Sequence, residues 1–418
     1  MENKIKYLKH ALIEFQRFHD QTVPLCAAEN PISNFCKLPL EGNFQERYIT
    51  GSCYSYHQDK NFIGSSVLLP FYEMIHDECM TLFHSQYSDP RTLSGMNCLI
   101  TLLMSLSKKN DKILILSEEW GGHPSVSPVC ERLGLQVFFA PYDLEKYDLD
   151  YDATNHLVEH EHIQYILIAQ SDTIYPLSIK KLNLSSSILL YDISQIMGLI
   201  TVGVIDNPLQ YSNNIIIFGG THKTLPGPTS GLILTNNKDL YMKLDNSINP
   251  QYLRNSQVHQ ILSLLLALIE MRIFGKDYMS SIVRLANLLG DMLSCKGFHI
   301  AQVQKQFSFT HQIFVETSQQ EMERIFLNAI RYGVTLNKKE KSLFGGYGIR
   351  LGVQEIARYG WDINELEIIS DIFKEISKLE PNGKKIEKLK ANLPEKKIQY
   401  TFPPKITNGL KKFFLHKN

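Results

Sequence analysis

The chain has no surplus of charge of either sign: Lys plus Arg and Asp plus Glu both number 43 among its 418 residues. It therefore lacks the basic excess that attraction to nucleic acid or acidic membranes draws on, and a small molecule is the expected partner. Its seven cysteines, at positions 26, 36, 53, 79, 98, 130 and 295, include no Cys-x-x-Cys pair and no metal-ligand spacing. An odd number without those spacings argues against a disulfide framework and reads as reduced thiols. Long unbroken apolar runs are also lacking. The opening segment MENKIKYLKHALIEFQRFHD is charged and amphipathic. It has neither the apolar core of a secretory signal nor the length of a membrane span, so a cytoplasmic location is expected. No internal repeat is visible.

What is present is enough apolar material, 44% of residues, for a large core, and a division into a large and a small domain is expected. Short apolar runs recur at 112–117 (KILILS), 136–140 (QVFFA), 165–169 (YILIA), 188–192 (ILLYD), 215–218 (IIIF) and 231–235 (GLILT). Several are separated by segments long enough for helices, as β-α-β crossovers require, so the fold class is α/β with a mainly parallel, doubly covered sheet. Around Gln257 the pattern changes to VHQILSLLLALIEMRIF, read as a buried interdomain helix. Beyond it a helix at 276–296, a strand at 311–317, a helix at 318–332, strands at 333–337 and 348–353 and a helix at 363–377 suggest a small α+β domain. The resulting division is an arm and active-site segment at 1–60, a large cofactor-binding domain at 61–256, an interdomain helix with the small domain at 257–377, and a basic tail at 378–418. The tail, lysine-rich and interrupted by prolines, is expected to be solvated and loosely packed.

One segment is richest in chemistry. Gly219-Gly220-Thr221-His222-Lys223-Thr224-Leu225-Pro226-Gly227-Pro228 follows the strand 215–218, which places Lys223 in the turn at the strand's carboxyl end. Open α/β sheets hold their ligands there. A lysine amine kept partly neutral can form an imine with pyridoxal 5'-phosphate, and the hydroxyls of Thr221 and Thr224 stand near enough in sequence to meet a phosphate. A solvated loop lysine is the alternative reading. Asp192 ends the strand 188–192, where a carboxylate beside a pyridine nitrogen would keep it protonated and the ring an electron sink; a helix N-cap is the alternative. Ser94-Gly95-Met96-Asn97 precedes the helical pattern CLITLLMSLS, so its backbone N–H groups can receive phosphate.

Thr221-His222-Lys223-Thr224-Leu225 with Gly227-Pro228 resembles the cofactor-lysine signature of serine hydroxymethyltransferases, within the aspartate-aminotransferase superfamily of pyridoxal phosphate enzymes of fold type I. Other segments follow in the family's order: Ala28-Glu29-Asn30, Glu41-Gly42 with Arg47-Tyr48, Ser94-Gly95, Gly121-Gly122-His123, residues 192–199 and residues 348–352. The resemblance spans roughly residues 20 to 375. It implies a large domain with a seven-stranded-type, mainly parallel sheet, a smaller C-terminal α+β domain and a homodimer with shared sites. It further implies that His123 stacks on the cofactor ring, that Ser171 bonds the ring's phenolic oxygen, and that Ser94, Gly95, Met96, Gln195 and Thr221 line the cofactor. Arg350 matches the family's substrate-carboxylate arginine and Glu41 its proton-handling glutamate, with His222 a second candidate for moving that proton. Arg254 stands where a neighbouring subunit's glycines approach the phosphate. Arg358 matches a second family arginine and is left structural.

The departures lie elsewhere. Pro39 and Ile49 stand where the family carries tyrosines, Gln195 where it has histidine, Met96 where it has serine and Thr229 where it has arginine. Pro124 and Glu118 replace apolar residues beside the Gly-Gly-His turn, and the connection from Gly333 to Arg350 is short. In the family, the last two places serve folate. What remains intact is the set for carbanion chemistry at an amino acid's α-carbon. The expectation is a folate-independent aldolase or transaldolase that makes or breaks the Cα–Cβ bond of a β-hydroxy-α-amino acid, by way of an external aldimine and a glycyl quinonoid, with amino acid and aldehyde substrates. A tetrahydrofolate-dependent serine/glycine hydroxymethyltransferase is the alternative. An aminotransferase or decarboxylase on the same scaffold, and a non-catalytic binding protein, stand further back.

Overall fold

A computed structural model describes residues 2–54, 65–184 and 186–414. The chain forms two compact units, one of residues 28–280 with 400–418, the other of residues 1–27 with 281–399. The boundary expected at 60/61 lies outside the described residues.

The larger unit is built on a seven-stranded sheet. Its strands are β1 (Tyr87–Asp89), β2 (Lys112–Ile115), β3 (Gln136–Phe139), β4 (Tyr165–Ala169), β5 (Ile188–Asp192), β6 (Ile215–Gly220) and β7 (Gly231–Thr235), in the spatial order β1-β7-β6-β5-β4-β2-β3. The pairings β3–β2, β2–β4, β4–β5 and β5–β6 are parallel, and β7 alone runs antiparallel to its neighbours. Every residue of β4, β6 and β7 is buried. Strands covered on both faces have no use for polar alternation, which is why they read as unbroken apolar runs. β1 gives no such run, because YSD is short and two-thirds polar, and its place in the sheet comes from pairing with β7.

The helix Gly95–Leu106 shows how sequence and packing agree. Ser94 caps it, accepting from Asn97 N–H through its side chain, and Cys98, Leu99, Thr101, Leu102 and Leu103 turn one face inward. That face packs on Leu167, Leu190, Ile216, Phe218 and Ile233 of the sheet. Each such buried aliphatic side chain contributes roughly 1.5–3 kcal/mol through removal from water.

Val258–Cys295 is one helix of 38 residues, where the sequence suggested two stretches. Gly275 does not break it, since a side chain there would meet Met271 Cε at 2.9 Å and Val202 Cγ1 at 3.1 Å; the glycine admits close packing. By length and composition the helix is apolar enough to cross a membrane, but 67% of its most apolar window is buried within the protein, as in a core helix.

The smaller unit carries a four-stranded antiparallel sheet in the order His299–Ile300, Gln312–Glu316, Gly346–Gly352, Asn337–Lys341. Capping boxes fix the starts of helices Gln319–Tyr332 (Ser318 with Glu321) and Ile363–Ile376 (Asp362 with Glu365). The edge strand falls at 337–341, beyond most of the expected 333–337, because NKKEK is polar throughout and offers no periodicity to read. Val23–Pro24 pairs in parallel with Val334–Thr335 in the same unit.

The C-terminal tail corrects an expectation. It is not loosely packed: helices Gly383–Lys390 and Pro404–Phe414 form, and Ile386 of the first is fully buried in the smaller unit. In the larger unit Phe402 packs against Phe35 and Phe274, and Thr401 donates to buried Glu270. A few apolar anchors among the lysines suffice, while the charged side chains remain outside.

Candidate active site

Most site candidates of the larger unit gather where the sheet's strand order reverses. From β2 the chain steps outward to β3 and then crosses back to β4, β5 and β6, so the carboxyl ends of β2 and β4 flank a topological switch point. Gly121-Gly122-His123 leaves β2 there. His123 N–H donates to the carbonyl of Ala169, the last residue of β4, at 2.9 Å, and the N–H groups of Ser171 and Asp172 donate to Gly121 O at 2.8 and 3.1 Å. Gly122 is required by contact: a β-carbon there would lie 2.2 Å from Leu116 O and 2.7 Å from Ser117 O. His123 is half-buried, and its Nδ1 accepts from Ser125 N–H at 3.2 Å.

Strand register extends the same line. Ala169 pairs with Asp192 and Asp192 with Phe218, so His123, Asp192 and the glycines that lead to Lys223 all attach to one end of three adjacent strands. The lysine turn is tied at every side. Ser194 Oγ accepts Gly220 N–H at 2.8 Å, and Thr224 Oγ1 accepts Gly198 N–H at 3.1 Å. Thr221 Oγ1 donates to Pro228 O at 2.7 Å, and Asn30 Nδ2 donates to Lys223 O at 2.5 Å and to Tyr278 OH at 2.8 Å. Both threonines are fully buried, so their hydroxyls shape the turn from within, a use of Thr221 and Thr224 that sequence reasoning did not separate from phosphate contact. Lys223 itself is half-buried.

The helix that begins at Gly95 starts beside this turn. A β-carbon at Gly95 would stand 2.7 Å from Gly220 N and 3.0 Å from Ser194 Oγ. Met96 is half-buried at the helix's first turn, and Gln195 is buried just after Asp192. His222 is half-buried, and its Nδ1 is buried with no hydrogen-bond partner among the described residues. Burial, with the neighbouring Lys223 charge, lowers its pKa from 6.5 to about 4, so the imidazole is neutral at neutral pH.

The remaining candidates sit differently. Glu41 ends the 3-10 helix Leu38–Glu41 and is exposed, and Arg254 is exposed beyond Leu253. Arg350 belongs to the smaller unit, in strand Gly346–Gly352; it is buried, and its Nη2 donates to Asn337 Oδ1 at 2.9 Å. Pro39 and Ile49 are both buried, and Ile49 N–H donates to Asn255 Oδ1 at 2.8 Å. Sequence reasoning passed over Ser194 and the anchoring role of Asn30. The signal for Ser194 was its place two residues after a strand-ending aspartate, where a serine can bond back to it.

The residues fit a pyridoxal phosphate group. A bare backbone at Gly95 and Gly122, a carboxylate ending β5, a lysine after β6, an imidazole at the end of β4 and an N-capped helix start meet at one sheet end. Fold and site together define a pyridoxal-phosphate-dependent enzyme. The sequence model described as serine hydroxymethyltransferase matches residues 8–373. The serine hydroxymethyltransferase of Picrophilus torridus is 30% identical over 400 residues, covering 89% of this chain and 90% of its own. That of Thermococcus onnurineus is 28% identical over 425 residues, covering 96% and 98%. The crystal structure of L-threonine transaldolase from Pseudomonas fluorescens, in its internal aldimine state, matches with a TM-score of 0.88 at 23% identity, across 99% of this chain and 98% of that one. The chain belongs to the serine hydroxymethyltransferase family.

Proposed function

We propose that this member of the family makes or breaks the Cα–Cβ bond of a β-hydroxy-α-amino acid without folate, as a threonine aldolase or transaldolase does. The carrying observation is the contrast between the family's motif residues retained at the sheet end and the residues Pro39 and Ile49 that stand where the family has tyrosines, both buried within this chain. The name of the solved relative, an L-threonine transaldolase, agrees with that reading.

Bound pyridoxal phosphate supplies an electron sink in conjugation with a substrate amine. In this reading Lys223 holds the cofactor and Asp192 meets its ring nitrogen. His123 covers the ring face, Ser171 meets its phenolic oxygen, and Ser94 and Gly95 at the helix start receive its phosphate. Arg350 binds the substrate carboxylate through its guanidinium fork. Glu41 is the first candidate to move the proton of a β-hydroxyl, and His222, neutral and with an Nδ1 that has no hydrogen-bond partner among the described residues, is the second. A homodimer belongs to the proposal, with Glu41 and Arg254 offered from the surface of one copy to the site of the other. The first helix, Glu2–Gln21, is consistent with assembly, since Ile5, Leu8, Leu12 and Phe15 are all exposed at 3-4-3 spacing. A cytoplasmic location completes the reading.

The second reading, a tetrahydrofolate-dependent serine/glycine hydroxymethyltransferase, is favoured by the names of the sequence relatives. The deciding experiment incubates the protein and pyridoxal phosphate with L-threonine, L-serine or glycine, with and without tetrahydrofolate. Acetaldehyde released from threonine in the absence of folate is the expected result. Turnover of serine alone, strictly dependent on folate, overturns it.

A further inference from the structure

We propose that Ser194 is a positioning residue that sets the carboxylate of Asp192 and couples it to the lysine turn, an inference that rests on the cofactor reading above. Ser194 grips one oxygen twice: its N–H donates to Asp192 Oδ1 at 2.8 Å, and its hydroxyl donates to the same Oδ1. The hydroxyl's own oxygen accepts the N–H of Gly220, the last residue of β6, at 2.8 Å, three residues before Lys223. One atom, Ser194 Oγ, thus joins the end of β5 to the end of β6 beyond their last ladder partners, Asp192 and Phe218.

The grip has two physical consequences. Two donors on Oδ1 fix the rotation of the carboxylate, so that Oδ2 is the oxygen that would face a ring nitrogen. Because the same hydroxyl also receives Gly220 N–H, the carboxylate and the start of the lysine turn move together. The surroundings are shaped to hold this serine. Side chains at Gly219 and Gly95 would stand 2.8 and 3.0 Å from Ser194 Oγ, and the residue is 6% exposed, so water does not replace the hydroxyl at low cost.

The test is a double-mutant cycle on the cofactor-loaded protein with Ser194→Ala, Asp192→Asn and both together, read by cofactor affinity and by the pH midpoint of the lysine-linked cofactor absorbance. Ser194→Ala is expected to weaken cofactor binding about tenfold, the scale of a lost hydrogen bond to a charged group. The midpoint should move up, because a ring carrying less positive charge leaves the linked nitrogen easier to protonate. In the Asp192→Asn background the same substitution should leave the midpoint where it is and cost less affinity, the remainder being the loss of the Gly220 contact. Equal losses in both backgrounds, or an unchanged midpoint, would overturn the proposal and leave Ser194 as packing alone. If the alanine variant does not fold, Ser194→Cys, which keeps bulk but donates weakly, carries the same cycle. A wild-type protein without the lysine-linked band overturns this inference and the cofactor reading together; a normal band without threonine turnover sinks only the proposed function.

Discussion

Two regions drew the same kind of expectation from sequence, and the fold treats them in opposite ways. At the sheet end, Asp192 and the lysine turn are fixed by Ser194, Thr224, Asn30 and two glycines whose missing side chains let backbones touch. Around Glu41 and Arg254, the side chains stand exposed on the surface of a single chain. The first region is held by the chain's own hydrogen bonds and close backbone contacts, whereas the second lies on the surface. Preorganisation at the sheet end therefore puts folding and cofactor binding under shared constraints, and surface candidates remain free of them.

The largest break in that contrast should come from Gly122→Ala. Its methyl group would press on Leu116 O at 2.2 Å, a backbone atom that cannot rotate away, and the turn that carries His123 must shift. A stability loss of about 3 kcal/mol and cofactor binding weakened by 100-fold or more are expected, on the scale of overpacking at a rigid site. Thermal unfolding of the cofactor-free protein and a cofactor titration measure the two together.

Glu41→Gln sharpens the comparison from the other side. Stability should stay within about 0.5 kcal/mol and cofactor absorbance should be unchanged, as for a surface substitution, while threonine turnover falls about 100-fold if this carboxylate moves the substrate proton. Unchanged turnover would shift that task to His222.

The smallest effect is expected from His222→Asn, and it depends on pH. Burial and the adjacent Lys223 lower the histidine's pKa from 6.5 to about 4, so the unfolded chain takes up its proton first. Its contribution to stability is complete above pH 6.5 and is lost progressively as pH falls towards 4. Between pH 7 and 5 the variant should lose less stability than the wild type, by on the order of 1 kcal/mol, in denaturant titrations at each pH.

Legibility in the sequence followed burial. The strands from β2 to β7 were visible because each is an apolar run, and Asp192 and Lys223 drew attention because one ends such a run and the other follows one closely. β1 and the strand Asn337–Lys341 were not, since their place depends on a neighbour's free edge and their own residues are polar. The tail misled through its lysines: Ile386 and Phe402 are too sparse to form a pattern, yet both find packed surroundings. Thr221 and Thr224 stood out as hydroxyls beside the lysine, and the structure adds that both brace its turn, Thr221 donating to Pro228 O and Thr224 accepting Gly198 N–H.

The sequence by itself determined the fold class, the strand that leads to Lys223, and the family, because hydrophobic periodicity and a run of ordered motifs are properties of the linear chain. Only the tertiary structure decided that Ser194 bridges Asp192 to Gly220, that Gly95 must be bare, and that Pro39 and Ile49 are buried. Those facts depend on which backbone lies within 3 Å of which side chain, and distances across adjacent strands are fixed by register and crossover, which residue identities do not record.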